Sequence, residues 1–361
     1  MRRPLPAAGG LCHIYGVSAP PKIGIIRDQR FLRHLTGLSH PESPERLSAI
    51  YRLLDYEFPV DFPQPPAQPA TLEQIEAVHR PSYVQMVLAT ARRRFTHLAA
   101  DTTACADSCL AAWLAAGSCV QGVDALLAGE LDLCLALVRP PGHHALPERA
   151  GGFCIFNNLG IAARHALQRG LKRILIVDWD LHHGNGLQQL FYDQAEVFYL
   201  SSHHLQSFPR SGDWQEAGQG PGLGYTLNLC LPAGFNDADM LHLYREVLTP
   251  VVERYRPQII LVACGFDGHA DDPLSNLALS AEAFGGLAAL IMALGPRQNG
   301  APVLLALEGG YNQAALTACV RRMLEAFTGA QTHAWSARSG LAAELVARAR
   351  TVHRPFRVWT G

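Results

Sequence analysis

The chain has 361 residues, of which 48% are hydrophobic and 17% are charged. This is enough material for one large globular domain, and it excludes the disordered and fibrous classes of protein. Lys and Arg number 30 against 31 Asp and Glu, so the net charge is −1 at pH 7. No broad basic field exists to bind nucleic acid or an anionic membrane, and any charged partner must be recognised locally.

Seven apolar runs predict β-strands, in chain order at residues 22–26, 131–138, 173–177, 197–200, 225–230, 258–263 and 303–307. Helical patterns occur at about 44–57, 81–93, 107–128, 158–169, 236–254, 280–294, 312–327 and 340–350. Continuously apolar strands separated by helices are typical of a parallel sheet covered on both faces. The sequence therefore predicts one α/β domain over residues 22–361, including a C-terminal helix, after an N-terminal segment of residues 1–21.

Cysteine usage indicates a reducing compartment. The nine cysteines are an odd number, are scattered along the chain and form no C-x-x-C motif. Pro4, Pro6 and two glycines interrupt any apolar signal segment near the start. We therefore expect reduced thiols in a cytoplasmic protein. The longest apolar stretch, around residues 110–127, contains Gln121 and Asp124, which favours a buried helix over a membrane span.

Polar side chains follow five of the predicted strands directly. They occupy residues 139–144, 178–186, 201–204, 265–267 and 308–311, which supply histidines, aspartates and a tyrosine. Taken singly, such residues are usually structural, since a His after a strand is often satisfied locally and an Asp before a helix is often an N-cap. Ligands of open α/β sheets bind beyond the carboxyl ends of the strands. The joint pattern therefore predicts a functional site at this edge.

A metal site is the first interpretation of these residues. Asp178, Asp180 and His182 alternate, so their side chains point to one side if the chain stays extended past its strand. With Asp267 from another strand, they form a site of two carboxylates and one imidazole with room for water. This set suits catalytic Zn²⁺, and also Fe²⁺ or Mn²⁺.

Metal-free catalysis has weaker support. No G-x-S-x-G motif is present, so a serine hydrolase of that type is not indicated. Cys154 stands near the histidines and could act as a nucleophile. A cysteine flanked by apolar residues is more often a packing residue, however.

Seven motifs, in order, resemble the zinc-dependent histone deacetylase superfamily. They are HPESPERL at 40–47, RPPGHH at 139–144, GGFC at 151–154, DWDLHHGNG at 178–186, GFD at 265–267, DPL at 272–274 and EGGY at 308–311. The resemblance covers about residues 22–328. Within the superfamily, the sequence is similar to the class II branch in a bacterial form, whose relatives are lysine deacetylases and acetylpolyamine amidohydrolases. It implies an arginase-type α/β fold around about eight parallel strands.

The resemblance implies roles for individual residues. One Zn²⁺ is held by Asp180, His182 and Asp267. The remaining catalytic residues it implies are His143 and His144 as the active-site pair, Asp178 as the partner of His143, and Tyr311 as the phenol that polarises the substrate carbonyl. Class I members have an aspartate at the position of Asn185, whereas class II members have an asparagine there. The resemblance therefore implies that the proton-transfer role of His144 differs from that in class I members.

A narrow substrate channel is also implied. Phe153 and Phe208 form its aromatic walls, Gly152 precedes the first of them, and Asp101 at the rim accepts hydrogen bonds from backbone amides of the substrate. Leu274 occupies the position where the polyamine-selective animal relative has an acidic gatekeeper, which counts against a polycationic substrate.

Structural monovalent cations, K⁺ or Na⁺, complete what the resemblance implies. The positions matching the inner cation site are Asp178, Asp180, His182, Ser201 and Ser202. The positions matching the outer site are Phe191, Gln194, Val197 and Tyr225.

The predicted function is removal of acetyl groups from lysine side chains of proteins or peptides by a metal-activated water. The expected partner is an acetylated lysine peptide or protein, with no direct nucleic acid and no membrane, and the sequence leaves a homo-oligomer open. An acetylpolyamine or other small-molecule amidohydrolase is the nearest alternative. Arginase-like ureohydrolysis would need two Mn²⁺ and more bridging carboxylates, and a non-catalytic acyl-lysine binder would need a lost active site.

Overall fold

The computed structural model describes residues 21–58, 60–330 and 339–360. The predicted N-terminal segment 1–21 lies outside the described residues apart from Pro21, and so does Cys12. The strands are β1 Ile23–Ile26, β2 Phe95–Ala99, β3 Thr102–Cys105, β4 Leu133–Ala136, β5 Ile174–Asp178, β6 Val197–His203, β7 Thr226–Cys230, β8 Ile259–Cys264 and β9 Val303–Leu307.

Seven of these strands form one parallel sheet in the order β1-β4-β9-β8-β5-β6-β7. All seven predicted strands are therefore confirmed, and the parallel sheet formed by the described residues has seven strands rather than about eight. Each strand is buried along its whole length, because helices cover both faces of a parallel sheet. This explains why the strands are continuously apolar in sequence.

The sheet order brings the five polar segments together. Asp178 at the end of β5 pairs with Ser201 of β6 on one side and with Ala263 of β8 on the other. Cys264 of β8 pairs with Leu307 of β9, and β9 in turn pairs with β4. The segments that follow β4, β9, β8, β5 and β6 therefore leave five consecutive strands at the same edge.

The helices are α1 Pro44–Arg52, α2 Leu72–Glu76, α3 Pro81–Thr90, α4 Ser108–Leu127, α5 Asn158–Gln168, α6 Asn185–Phe191, α7 Asp237–Tyr255, α8 Ala281–Met292, α9 Gln313–Thr328 and α10 Gly340–His353. A π-helical segment continues α1 over Leu53–Glu57, and another continues α8 over Ala293–Asn299. The eight predicted helices are all present. The sequence patterns missed α2, α6 and the β2–β3 hairpin, because two of these are short and β2 is largely exposed.

Helix α4 is long and apolar enough to cross a membrane by length and composition. In the structure, 67% of its most apolar window is buried, and the helix packs against α5 and β4. It is a core helix of this domain, as predicted. The eight cysteines among the described residues are free and buried.

Candidate active site

Three ligand-type side chains converge at the sheet edge. Asp180, His182 and Asp267 are buried, and each offers one ligand atom within 4.8 Å of the other two. Nδ1 of His182 lies 3.1 Å from Oδ1 of Asp180 and 2.9 Å from Oδ2 of Asp267. Two carboxylates and one imidazole suit a divalent metal ion, and three protein ligands leave positions free for water and substrate.

The electrostatics of this group also fit a cation. Burial and the neighbouring charge of Asp180 raise the pKa of Asp267 to about 7. Burial would lower the pKa of His182, but its hydrogen bonds to Asp180 and Asp267 outweigh burial and raise that pKa to about 10. Two carboxylates forced together in a buried place repel each other, and a divalent ion between them relieves that repulsion.

Backbone groups orient both carboxylates. The amide of Leu181 donates to Oδ1 of Asp267 at 2.9 Å, and the amide of Gly309 donates to Oδ2 of Asp180 at 2.8 Å. A Cβ at Gly309 would lie 2.3 Å from Oδ2 of Asp267, and one at Gly265 would lie 2.1 Å from Oδ2 of Asp180. Only glycine lets the two loops approach the carboxylates this closely.

His143 is paired with a carboxylate. Its Nδ1 lies 3.1 Å from Oδ2 of Asp178, which also accepts a hydrogen bond from the Tyr199 hydroxyl at 3.1 Å. Burial would lower the pKa of His143, but the charges of Asp178 and Asp180 outweigh burial and raise that pKa to about 10. This arrangement favours the protonated ring.

His144 is paired with an amide. Its Nδ1 lies 2.9 Å from Oδ1 of Asn185, and its ring centroid is 4.0 Å from that of His143 and 6.0 Å from that of His182. Because an amide oxygen only accepts, Nδ1 of His144 carries the hydrogen and Nε2 is left as an acceptor. Burial and the adjacent His143 charge hold the pKa of His144 well below its usual value, so the two histidines differ in protonation.

Tyr311 lies on the turn after β9, and its backbone is held from two sides. Its amide donates to Oδ2 of Asp272 at 2.6 Å, while Nε of Arg46 donates to the carbonyl of Gly310 at 2.6 Å. The Arg46 guanidinium is 4.9 Å from the centroid of the Tyr311 ring. Phe153 packs edge-on against that ring at 5.7 Å. Burial raises the pKa of Tyr311 well above its usual value, so the phenol keeps its proton.

The two predicted aromatic walls contact different catalytic candidates. Phe153 packs against Tyr311, and Phe208 packs edge-on against His144 at 4.9 Å. A Cβ on Gly152 would lie 2.2 Å from Cδ2 of His144 and 2.9 Å from Cε1 of Phe208. Gly152 therefore lines the place where the wall meets the histidine pair, and its φ of 55° also favours glycine.

Asp101 and Leu274 are linked to residues of the site by hydrogen bonds. Oδ2 of Asp101 accepts from the amide of Gly152 at 3.0 Å, and its Oδ1 accepts from the Thr102 hydroxyl at 2.8 Å. Each carboxylate oxygen can accept a second hydrogen bond, so Asp101 braces the wall and keeps acceptor capacity. Leu274 is 36% exposed, and its amide donates to Oδ1 of Asp272 at 3.1 Å.

Comparison with known proteins decides the family. Residues 40–327 match the model of the histone deacetylase domain. This chain belongs to the histone deacetylase family. The fold agrees, because the crystal structure of the HDA15 HD domain superimposes with a TM-score of 0.86 and 31% identity, covering 94% of this chain and 96% of that one. The superfamily assignment and the fold class made from sequence are both confirmed, and the chain is a member of a family of amide-hydrolysing enzymes.

Two curated relatives within the family carry different names, one a histone deacetylase and the other a polyamine deacetylase. Rice "Histone deacetylase 10, chloroplastic" is 41% identical over 274 residues, which cover 73% of this chain and 62% of the relative. Human "Polyamine deacetylase HDAC10" is 38% identical over 302 residues, which cover 80% of this chain and 44% of the relative. The chain therefore spans between two fifths and two thirds of the length of these relatives.

The predicted cation positions lie along β5, β6 and their neighbours. The Ser201 hydroxyl contacts Nδ1 of His203 at 2.9 Å, and the Ser202 hydroxyl contacts the Tyr244 hydroxyl at 2.7 Å. On the outer side, Phe191 ends α6, Gln194 and Val197 follow it, and the carbonyl of Tyr225 accepts from the amide of Tyr199 at 2.8 Å. Both cation sites stay predictions.

Three charged residues of the sequence motifs support the site from within the core, a role that the sequence analysis missed. Glu42 is fully buried and pairs with Arg46 at 3.0 Å and with Arg139 through two nitrogen atoms. Arg46 then donates to the backbone carbonyls of Glu308 and Gly310 beside the site, whereas Arg139 donates to those of Phe31 and His34. The signal was present in the charged residues of the HPESPERL and RPPGHH motifs, but only the fold shows that they contact each other.

Glu308 is a second residue of this kind. Its side chain is fully buried, and Oε2 accepts from the amide of Gly142 at 2.7 Å and from that of His143 at 3.1 Å. Oε1 has no partner among the described residues, and burial raises the pKa of the Glu308 carboxyl to about 7. Glu308 therefore fixes the backbone that carries the histidine pair.

Replacing Glu308 with Leu is expected to lower kcat by about tenfold or more. The buried amides of Gly142 and His143 would lose their acceptor, which costs about 1–3 kcal/mol each, and the backbone that carries the histidine pair would shift. Glu308→Gln keeps an acceptor oxygen of the same reach, so most of the turnover should return. Steady-state kinetics on an acetyl-lysine peptide, with unfolding curves for both variants, measure this. Equal kcat values for the Leu and Gln variants would show that Glu308 does not position the pair.

Proposed function

We propose that this chain is a metal-dependent hydrolase that removes acetyl groups from lysine side chains of peptides or proteins. The observation that carries the proposal is the convergence of Asp180, His182 and Asp267 next to two differently paired histidines. Family membership supports the same chemistry. The group of three is the one metal-binding cluster found among the described residues, which favours a single ion over the two Mn²⁺ of an arginase-like site.

The proposed metal is Zn²⁺, held by Asp180, His182 and Asp267. Bound there, it would supply a water molecule whose pKa is lowered from about 15.7 to about 7, and a positive charge beside the substrate carbonyl. Two carboxylate ligands neutralise much of that charge, so the protein must contribute a base. We assign that role to His144.

The histidine pair divides the proton transfers. Nδ1–H of His144 donates a hydrogen bond to Oδ1 of Asn185, which leaves Nε2 without a proton. Nε2 therefore accepts a proton from the attacking water and later gives a proton to the leaving lysine nitrogen. His143, hydrogen-bonded to Asp178, stays protonated and stabilises negative charge that develops nearby. The Tyr311 hydroxyl donates a hydrogen bond to the carbonyl oxygen as that oxygen becomes anionic.

An acetylated lysine peptide fits the surroundings better than an acetylated polyamine. A polycation would need carboxylates at the entrance, and the sequence offers three for that role, namely Asp101, Asp271 and Asp272. Asp272 is buried and accepts from three backbone amides, and Asp101 already accepts from the Gly152 amide, which leaves it part of its acceptor capacity. Only Asp271, with 76% of its side chain exposed, is free of such a bond. The connection between His144 and Gly151 is short, and it leaves no room for a further loop that would narrow the entrance around a polyamine.

The test is a panel of acetyl-lysine peptides, longer acyl-lysine peptides and acetylspermidine, assayed with zinc-loaded protein and repeated with a hydroxamate inhibitor. We expect the highest kcat/KM on an acetyl-lysine peptide and complete inhibition by the hydroxamate. A higher kcat/KM on acetylspermidine would establish the polyamine alternative. Binding of acetyl peptide without product release, in protein that contains its metal, would establish a non-catalytic binder.

Leu274 offers a sharper test of the substrate class. Leu274→Glu places a carboxylate at a half-exposed position, where an ion pair contributes about 1 kcal/mol. We expect kcat/KM for acetylspermidine to rise about fivefold while that for the acetyl-lysine peptide stays level or falls. Leu274→Gln, which has the same size without the charge, is the control. A similar gain with Gln would assign the effect to shape and not to charge.

We also propose that K⁺ occupies the inner set of Asp178, Asp180, His182, Ser201 and Ser202 and the outer set of Phe191, Gln194, Val197 and Tyr225. A cation bound only by the folded chain stabilises it. The unfolding midpoint should therefore be higher in KCl than in tetramethylammonium chloride of the same ionic strength. An identical midpoint in the two salts would contradict both sites.

A further inference from the structure

A cleft of about 1060 Å³ lies between the end of α7 and the C-terminal residues of the chain. Four of the residues that line it are arginines, namely Arg254, Arg350, Arg354 and Arg357. We call it the arginine cleft. No residue of the active site described above lines it, so its chemistry is independent of the metal centre.

Most of this positive charge has no counter-charge. Arg350 lies 3.6 Å from a carboxylate oxygen of Glu246. Within residues 21–58, 60–330 and 339–360, no carboxylate pairs with Arg254, Arg354 or Arg357, and no hydrogen bond of their side chains is present. Residues 1–20, 59, 331–338 and 361 include no aspartate or glutamate, so the rest of the sequence supplies no acidic side chain either.

Helix ends do not balance the charge. Helices α7 and α10 both end beside the cleft, and Arg254 and Arg350 lie in their last turns. A helix C-terminus is equivalent to about half a negative charge, so two of them with Glu246 offset about two of the four positive charges. A net positive charge of about two remains in a protein whose overall charge is −1.

Two further residues of the lining have unusual surroundings or geometry. Nε1 of Trp359, a residue that is 2% exposed, has no hydrogen-bond partner among the described residues. Arg357 has a φ of 57°, a left-handed conformation that costs a residue other than glycine about 1–3 kcal/mol. The fold therefore holds an unpaired guanidinium at the cleft in an unfavourable backbone conformation.

We propose that the arginine cleft binds a soluble ligand that carries two or more phosphate groups. Guanidinium groups bind phosphate through two parallel N–H donors. A phosphate group carries about −1.5 to −2 at pH 7, so two groups bring about −3 to −4, whereas a single carboxylate brings −1. Three of the four guanidinium groups have neither a carboxylate nor a hydrogen-bond partner among the described residues, and a ligand with two phosphate groups can engage more of them at once than a single phosphate can.

The probe for this site is sodium tripolyphosphate, titrated calorimetrically into the whole protein, with inorganic phosphate as the singly phosphorylated comparison. We expect saturable one-to-one binding of tripolyphosphate and at least tenfold weaker binding of phosphate. The double variant R354Q/R357Q should raise the Kd for tripolyphosphate at least tenfold. The matched control R33Q/R52Q removes two exposed arginines outside the cleft and should change the Kd less than threefold.

Several results would overturn the proposal. These are no saturable binding of tripolyphosphate, equal losses in the two double variants, or tighter cleft-dependent binding of an oligonucleotide or of anionic lipid vesicles. The last result would assign the cleft to a macromolecular partner. R254Q, a change on α7, provides a second variant if R354Q/R357Q lowers the unfolding midpoint. The titration measures binding and not hydrolysis, so its failure leaves the proposed deacetylase function unchanged.

Discussion

Replacing Tyr311 with Phe is expected to lower kcat on an acetyl-lysine peptide by a hundredfold or more. Loss of one hydrogen-bond donor to a developing oxyanion typically costs about 2.7–4 kcal/mol. The ring should stay in place, because Phe153 packs against it and the Arg46 guanidinium lies 4.9 Å from its centroid. Zinc content and hydroxamate affinity should therefore change little, and steady-state kinetics with metal analysis measure both.

Tyr56→Phe is the matched control, because Tyr56 is 84% exposed and loses the same hydroxyl far from any proposed role. Its kcat should equal that of the parent protein. A near-normal kcat in Tyr311→Phe would remove the phenol from the mechanism. A parallel loss of zinc would show that the substitution disturbs the metal centre.

Replacing Asp267 with Ala is expected to abolish both metal retention and turnover. Asp267 supplies one of three ligand atoms that lie within 4.8 Å of one another. The variant should contain less than about a tenth of an equivalent of zinc after dialysis, because two protein ligands hold zinc far more weakly than three. Elemental analysis of the dialysed protein measures this directly.

Asp271→Ala is the control for Asp267→Ala, since it removes an exposed carboxylate four residues away and should keep the full zinc equivalent. Asp267→Asn preserves volume and can still accept from the Leu181 amide, so it separates ligand loss from misfolding. Zinc should raise the unfolding midpoint of the parent protein and of Asp271→Ala but not of either Asp267 variant. Full zinc occupancy in Asp267→Ala would refute the proposed ligand set.

The sequence by itself determined the strands and the chemistry of their ends. Continuous apolar runs such as the one ending at Val177 predict buried parallel strands, because helices exclude water from both faces. Asp178, Asp180 and His182 follow that strand directly, so local order alone places carboxylates and imidazole beyond one strand end. The motifs around them were enough to indicate the family and a metal-dependent hydrolase.

The tertiary structure decided which of these ends are neighbours. Asp267 follows β8 and Tyr311 follows β9, and only the pairing of β9 with β8 and of β8 with β5 brings them to Asp180. Strand order depends on contacts between segments more than a hundred residues apart in some pairs, and no local periodicity encodes such contacts.

The same limit explains the residues whose roles sequence reasoning missed. Glu42, Arg46 and Arg139 read as charged positions within motifs, and Glu308 as one residue of a turn. Their burial and mutual pairing exist only after folding, because a buried charge is tolerated only where a partner from another segment meets it. The arginine cleft likewise depends on α10 packing against α7. Sequence determined which groups are available, and packing decided which of them act together.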